Sequence, residues 1–216
     1  MRRRRERIVD AARTLIFEDG LAAVSMRRVA ERADVSVMTL YNLFGSKDDI
    51  LEAVISHAID AIDERLAAEA PVDVDPVARC VAVITVSIEL LTGEPEIFRP
   101  MFLVGYEQVA TAGERSRRAG QRAARMQQAG LEVAVEQGLI RNGIDVVALA
   151  DQIYHGYELA ALQWARGELS VEGFEARALY GLWLALAAAA DDELRPTVDA
   201  RLADAAVTLR SVVIDS

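Results

Sequence analysis

The chain has 216 residues, 52% of them hydrophobic, a formal net charge of −10 and one cysteine. There is room for one small domain and a larger core-forming one, with no linker of disordered composition between them, and a lone Cys80 excludes an internal disulfide. No apolar run follows the first arginines, and the longest unbroken apolar stretches fall well short of the ~18 residues of a spanning helix, so neither a secretory signal nor a membrane segment is expected and the protein reads as cytoplasmic.

The acidity is uneven. Residues 1–47 hold ten basic and six acidic side chains, a net of +4, and the remainder holds fourteen against twenty-eight, a net of −14. Only the front end suits a polyanion. It opens on MRRRRER, read as a basic arm that adds phosphate or minor-groove contacts. Ile8, Ala11, Ala12, Leu15 and Ile16 then recur at helical spacing and predict an amphipathic helix over roughly 4–18 that Asp19-Gly20 ends. Ser25 is an N-cap for a second helix with Val29, Ala30 and Ala33 on its buried side. Asp34 and Val35 make the turn, Ser36 caps again, and Val37 to Leu43 is long enough for two helical turns. Two short helices joined by so few residues form a helix-turn-helix, whose second helix can project into a DNA groove. Phe44 and Gly45 break the chain direction, and Ser46 caps a further helix with Asp49 in a capping-box position. That helix starts at Lys47 and is expected to run to about Ala70, where Pro71 and VDVDP stop it, so it belongs to both parts of the molecule.

Leu40 and Phe44 fall on the buried side of this unit. Thr39, Tyr41 and Lys47 place a hydroxyl, a phenol and an ammonium on adjoining turns at its mouth, groups suited to phosphate oxygens. Lys47 is the single lysine among 24 basic residues and lies where a helix N-terminus and a flexible point charge jointly hold an anion. With A-A-x-x-L, the Gly20 stop, V-S-M-R-x-V-A, V-S-x-x-T-L-Y and F-x-S-K-D-x-[IL]-L in register, Ile8 to Leu51 resembles the N-terminal domain of the tetracycline-repressor-like (TetR) family of transcriptional regulators. The resemblance implies that Arg27, Val37, Met38 and Asn42 face base edges and that Thr39, Tyr41 and Lys47 hold the DNA backbone. Val37 and Met38 offer apolar contact to a thymine methyl, Asn42 suits adenine and Arg27 guanine. Two positions depart from the family pattern. Asp34 replaces the usual Gly, which requires a left-handed backbone there; Leu43 replaces a commonly polar or aromatic residue and removes one DNA contact.

Beyond residue 70 the pattern stays helical, with no strand signal and no fixed-period repeat. Pro76 to Leu91 is apolar nearly all round, as a helix surrounded by others should be. Helices are expected over Glu94 to Glu107, Glu114 to Gln137, Asp145 to Arg166, Val171 to Ala190 and Asp192 to Val213. Cys80 lies in an apolar helix and reads as structural. The expected fold is all-α: a helix-turn-helix domain over residues 1–50 and a ligand-binding and dimerisation domain over residues 51–216. Helices 145–166 and 171–190 carry long apolar surfaces with Gly156, Ala160, Ala161, Gly181, Ala185 and Ala188 allowing close approach. By the resemblance they form a four-helix bundle with their copies in a second subunit. Such a homodimer matches a palindromic operator with half-sites about 34 Å, or a multiple, apart. The resemblance also places an effector cavity among the central helices, for which Phe98, Met101, Phe102, Tyr106, Met126, Tyr154, Tyr157 and Glu158 combine apolar walls with polar handles.

An enzyme finds little support. His57 and His155 are the only histidines, no His/Cys/carboxylate cluster has metal spacing, and neither a phosphate-cradling loop nor a nucleophile elbow is present. No catalytic residue, metal or cofactor is therefore expected. The reading is a ligand-responsive transcriptional repressor that binds double-stranded DNA and a small hydrophobic effector. The alternative is a DNA-binding adaptor whose C-terminal domain docks a protein partner.

Overall fold

Six helices start at a side chain suited to capping. The Ser25, Ser36 and Ser46 hydroxyls accept from the backbone N–H of Arg28, Thr39 and Asp49, and Asp75, Asp145 and Ser170 cap later helices in the same way. The structure, a computed structural model, describes residues 2–72, 75–107 and 113–213, with side chains for 3–72, 75–104 and 120–212. The described residues form α1 (Arg2–Asp19), a 3-10 turn (Leu21–Ala23), α2 (Met26–Arg32), α3 (Val37–Phe44), α4 (Lys47–Glu69), α5 (Pro76–Gly93), α6 (Pro95–Glu107), α7 (Gly113–Glu136), α8 (Val146–Ala165), α9 (Val171–Ala189) and α10 (Arg195–Val213). The fold is all-α, as expected. An isolated bridge between Ile140 and Ala190 is the only β pairing among the described residues. The last helix starts three residues later than the sequence suggests, because Asp191 Oδ1 accepts from the N–H groups of Glu193 and Leu194 and holds a turn ahead of α10.

Ile8, Ala12, Leu15 and Ile16 of α1 bury against Val29, Ala30, Leu40 and Phe44 to form the core of the amino-terminal head. That core continues through Ile50, Val54 and Ala58 of α4 into the second part of the molecule. A boundary at residue 50 thus falls inside α4, a single helix of 23 residues. Ion pairs hold the far half of α4: Asp60 with Arg122 of α7 at 2.6 Å and Arg65 with Glu89 of α5 at 2.9 Å. A second link joins the parts where Arg13 of α1 pairs with Glu94, just ahead of α6. Among the described residues α5 is the one helix long and apolar enough to cross a membrane, and half of it is buried against its neighbours. It packs on α4, α7 and α9.

Helices α8 and α9 pair with each other, and α10 covers α9. Of the small residues expected to admit a partner, Ala160 and Ala161 are fully buried inside the protomer and Ala185 is half-buried against its core. A Cβ added at Gly156 or Gly181 would meet open space, and Leu159, Leu184 and Ala188 are exposed beside them.

Candidate nucleic-acid interface and internal cavity

The α2–α3 corner closes on backbone geometry. Asp34 N donates to Glu31 O and Val35 N to Ala30 O, the paired bonds of a Schellman end, with Asp34 left-handed at φ 50°. The departure from glycine is therefore met in the way the sequence requires, and Arg7 of α1 donates to the Asp34 carbonyl at 3.2 Å. At the other end of α3, Gly45 takes φ 85° and donates to Tyr41 O.

This corner leaves α3 with two unlike faces. Leu40 and Phe44 are buried, whereas Val37, Met38, Tyr41 and Asn42 are exposed, Met38 at 69% and Tyr41 at 50%. Thr39 is half-buried, its hydroxyl 2.8 Å from that of Ser36. On α2, Arg28 is held by Asp19 at 2.6 Å and Arg32 by Glu18 at 2.6 Å, while the exposed Arg27 has no ion pair among the described residues. Lys47 is half-buried at the first turn of α4, its Nζ donating to Leu21 O at 3.4 Å. An ammonium carries three donors, so this long bond leaves capacity for an anion. The seven residues expected to touch DNA therefore lie on α2, α3 and the start of α4.

The arginines of the basic arm are helical, since α1 already begins at Arg2. Arg5 donates to Leu43 O at 2.6 Å and lies 4.3 Å over the Phe44 ring, so it caps the end of α3, while Arg7 holds the α2–α3 turn. Composition marked the arginine cluster, but nothing local distinguishes these two from Arg3 and Arg4, which are exposed.

A cavity of about 40 Å³ lies among α4, α5, α7 and α8. Ile59, Ile62, Val83, Ile84, Ala123 and Ile153 make its apolar walls, and Ser87, Met126, Gln127, Tyr154 and Tyr157 complete it. Of the eight residues expected to hold an effector, Met126, Tyr154 and Tyr157 line this space, and Glu158 accepts from Tyr154 Oη at 3.3 Å. Phe98 and Met101 are instead buried in the main core and Phe102 packs against it, so α6 turns this face toward α8 and α1. Helical periodicity identifies a buried face without telling what it is buried against. The Tyr106 side chain lies outside the described residues.

Gln127 is the polar residue that sequence reading passed over. It is 3% exposed, its Nε2 donates to Cys80 O at 3.1 Å, and its Oε1 is buried without a partner. A glutamine on a helix with an Arg-rich start carries no local sign of burial. The Tyr157 hydroxyl is likewise buried, with the Ser87 hydroxyl nearby but no well-aligned bond to it, and burial raises its pKa well above the ordinary phenol value. Tyr154 is raised by burial and by the Glu158 carboxylate. Burial pushes the Cys80 thiol up to about 12, which fits a structural rather than a reactive cysteine. A larger open groove of about 600 Å³ runs between α5, α9 and α10, with Trp183 and Arg201 on its walls, but none of its lining residues has a buried unpaired polar atom. No group of metal-binding side chains occurs among the described residues.

The family model for bacterial regulatory proteins of the tetR family matches residues 8–54, the head and the start of α4. Over 62 residues the chain is 48% identical to the HTH-type transcriptional repressor KstR of Rhodococcus jostii, a match covering 29% of this chain and 29% of that repressor. Less than a third of the curated relative is thus spanned. The whole fold is similar to that of Thermus thermophilus FadR, a TetR-family transcriptional repressor solved with lauroyl-CoA, at a TM-score of 0.66 and 25% identity over 84% of this chain and 93% of that one. Bacillus subtilis FadR, solved with stearoyl-CoA, shares the fold at a TM-score of 0.61 and 20% identity over 84% and 97% of the two chains. Residues 8–54 thus carry the head of the tetR family of bacterial regulatory proteins, on a chain whose fold is similar to that of a TetR-family repressor.

Proposed function

We propose that this protein is a homodimeric, sequence-specific DNA-binding transcriptional repressor that a small hydrophobic effector releases from a palindromic operator. The observation that carries the reading is the outward face of α3, where Val37, Met38, Tyr41 and Asn42 stand exposed on a capped helix of eight residues at the basic end of an acidic chain. A solvent-facing Met and Tyr on so short a helix make sense as contacts for another molecule. In this reading Arg27, Val37, Met38 and Asn42 meet base edges, while Thr39, Tyr41 and Lys47 fix register on phosphates.

The effector enters the cavity bounded by Met126, Tyr154 and Tyr157, whose wall must open because about 40 Å³ holds only one or two small groups. Ile59 and Ile62 of α4 are part of that wall, so an effector that favours one setting of α4 biases the spacing of the two heads. The outward face of α8 and α9, with Leu159 and Leu184, supplies the dimer contact. The division is a reading head over residues 1–50 and an effector and dimer unit over 51–216, cytoplasmic and without catalytic chemistry. The adaptor reading is not favoured, since two proteins of like fold are solved with acyl-CoA molecules.

Selection of bound duplexes from a random pool tests the proposal. An inverted repeat with half-sites about one helical turn, or a multiple, apart is expected. Binding no stronger than to random competitor at moderate ionic strength, with or without cell extract, overturns it.

A further inference from the structure

The cavity walls carry four groups able to hydrogen-bond, and two of them are already used. The Ser87 hydroxyl donates to Val83 O at 2.5 Å and the Tyr154 hydroxyl donates to Glu158. Gln127 Oε1 remains, buried and unpaired, and so does the buried Tyr157 hydroxyl, which has only the Ser87 hydroxyl as a polar neighbour and no well-aligned bond to it. The Gln127 amide cannot simply be turned round, because its NH₂ group serves the Cys80 carbonyl, an acceptor. Its oxygen therefore needs a donor from outside the protein. Tyr157 keeps its proton at neutral pH and has it free to donate to a better-aligned acceptor than Ser87. Resting on the reading of this cavity as the effector site, we propose that the effector is an uncharged apolar molecule bearing a hydroxyl, which donates to Gln127 Oε1 and accepts from the Tyr157 hydroxyl.

One hydroxyl meets both needs, and the other common head groups do not. A ketone accepts from Tyr157 and leaves Gln127 unmet. A carboxylate sets a negative charge against the Gln127 oxygen, and none of the lining residues is a cation. The existing space fits the hydroxyl and its nearest carbons. The rest of the ligand is accommodated by movement of the wall, where Met126 is the most adaptable side chain.

The test is calorimetry and thermal shift of the full chain with two trios matched in shape: decanol, decanone and decanoate, and butylcyclohexanol, butylcyclohexanone and butylcyclohexanecarboxylate. In at least one trio the alcohol is expected to bind about tenfold more tightly than the ketone, with the carboxylate weakest. Gln127→Met should abolish the preference for alcohol over ketone, and Tyr157→Phe should weaken both. The proposal is overturned if ketone or carboxylate matches the alcohol in both trios, or if the preference survives Gln127→Met. Equal binding of all members that Ile153→Trp abolishes would reject the hydroxyl while keeping the cavity as the effector site. Binding by none of the six, or binding that survives Ile153→Trp, would reject the cavity and the proposal together. Because the ranking is read first on the unaltered protein, a variant that fails to fold leaves the test intact.

Discussion

Arg27 and Arg28 are chain neighbours that the fold puts to different uses. Arg28 is paired with Asp19 and bonded to Ala23 O, so it knits α2 to the chain before it. Arg27 stands exposed beside α3. Arg27→Ala is expected to relax base preference at one operator position by about 1–3 kcal/mol, with near-normal stability. Binding to a panel of single-base operator variants reads this directly, and uniform weakening over the panel would assign Arg27 to phosphate instead. Asp34 offers a stability test at the same scale. Its left-handed backbone costs less for glycine, so Asp34→Gly should raise the melting temperature, by about 0.5–1 kcal/mol in stability; a fall would mean that the Asp34 side chain contributes more than its backbone strain costs. The three serine caps of the head were legible because capping depends on residues within one turn. Gln127 was not, because its burial is made by helices distant in the chain.

At the level of elements, Gly130 marks a close approach of α7 to α5. A Cβ on Gly130 would lie 2.8 Å from Cys80 Sγ and 3.0 Å from the Pro76 carbonyl, and a backbone oxygen cannot swing aside as a side-chain tip can. Gly130→Ala should destabilise the protein by about 1–3 kcal/mol, measurable by denaturant unfolding. A neutral result would show that α5 and α7 slide freely past each other. Both helices wall the cavity, so the same substitution also probes how rigid that cavity is. The helices themselves were largely legible, since apolar spacing, serine and aspartate caps and prolines are local signals. The amino-terminal arginines were less so: composition marks them as a basic arm, yet Arg5 and Arg7 reach chain segments 38 and 27 residues away and hold the end of α3 and the α2–α3 turn.

For the molecule as a whole, assembly turns on Leu159 and Leu184, which are 54% and 51% exposed beside glycines that face open space. Leu184→Arg is expected to convert a dimer to a monomer and to weaken operator binding at least tenfold, as read by sedimentation and by gel shift. An intact dimer would move the interface elsewhere. Response to alkali is a second global property. The unfolded chain releases the Cys80 proton around pH 9.0 and tyrosine protons around 10.0, while the folded protein holds Cys80 to about 12 and both Tyr154 and Tyr157 well above their ordinary value. Above pH 9 the unfolded state therefore binds fewer protons, and stability falls as pH rises toward 12. Melting curves across that window should show the decline, less steeply in Tyr157→Phe. By itself the sequence determined the class of fold, the helix-turn-helix corner and the faces of α3, because each rests on local spacing, capping and backbone preference. Only the tertiary structure decided which apolar residues wall the cavity, which alanines are spent inside the protomer, and that the Gln127 side-chain oxygen lies unpaired beside that space. Those outcomes follow from how helices pack on one another, and helical periodicity records that a face is buried but not its partner.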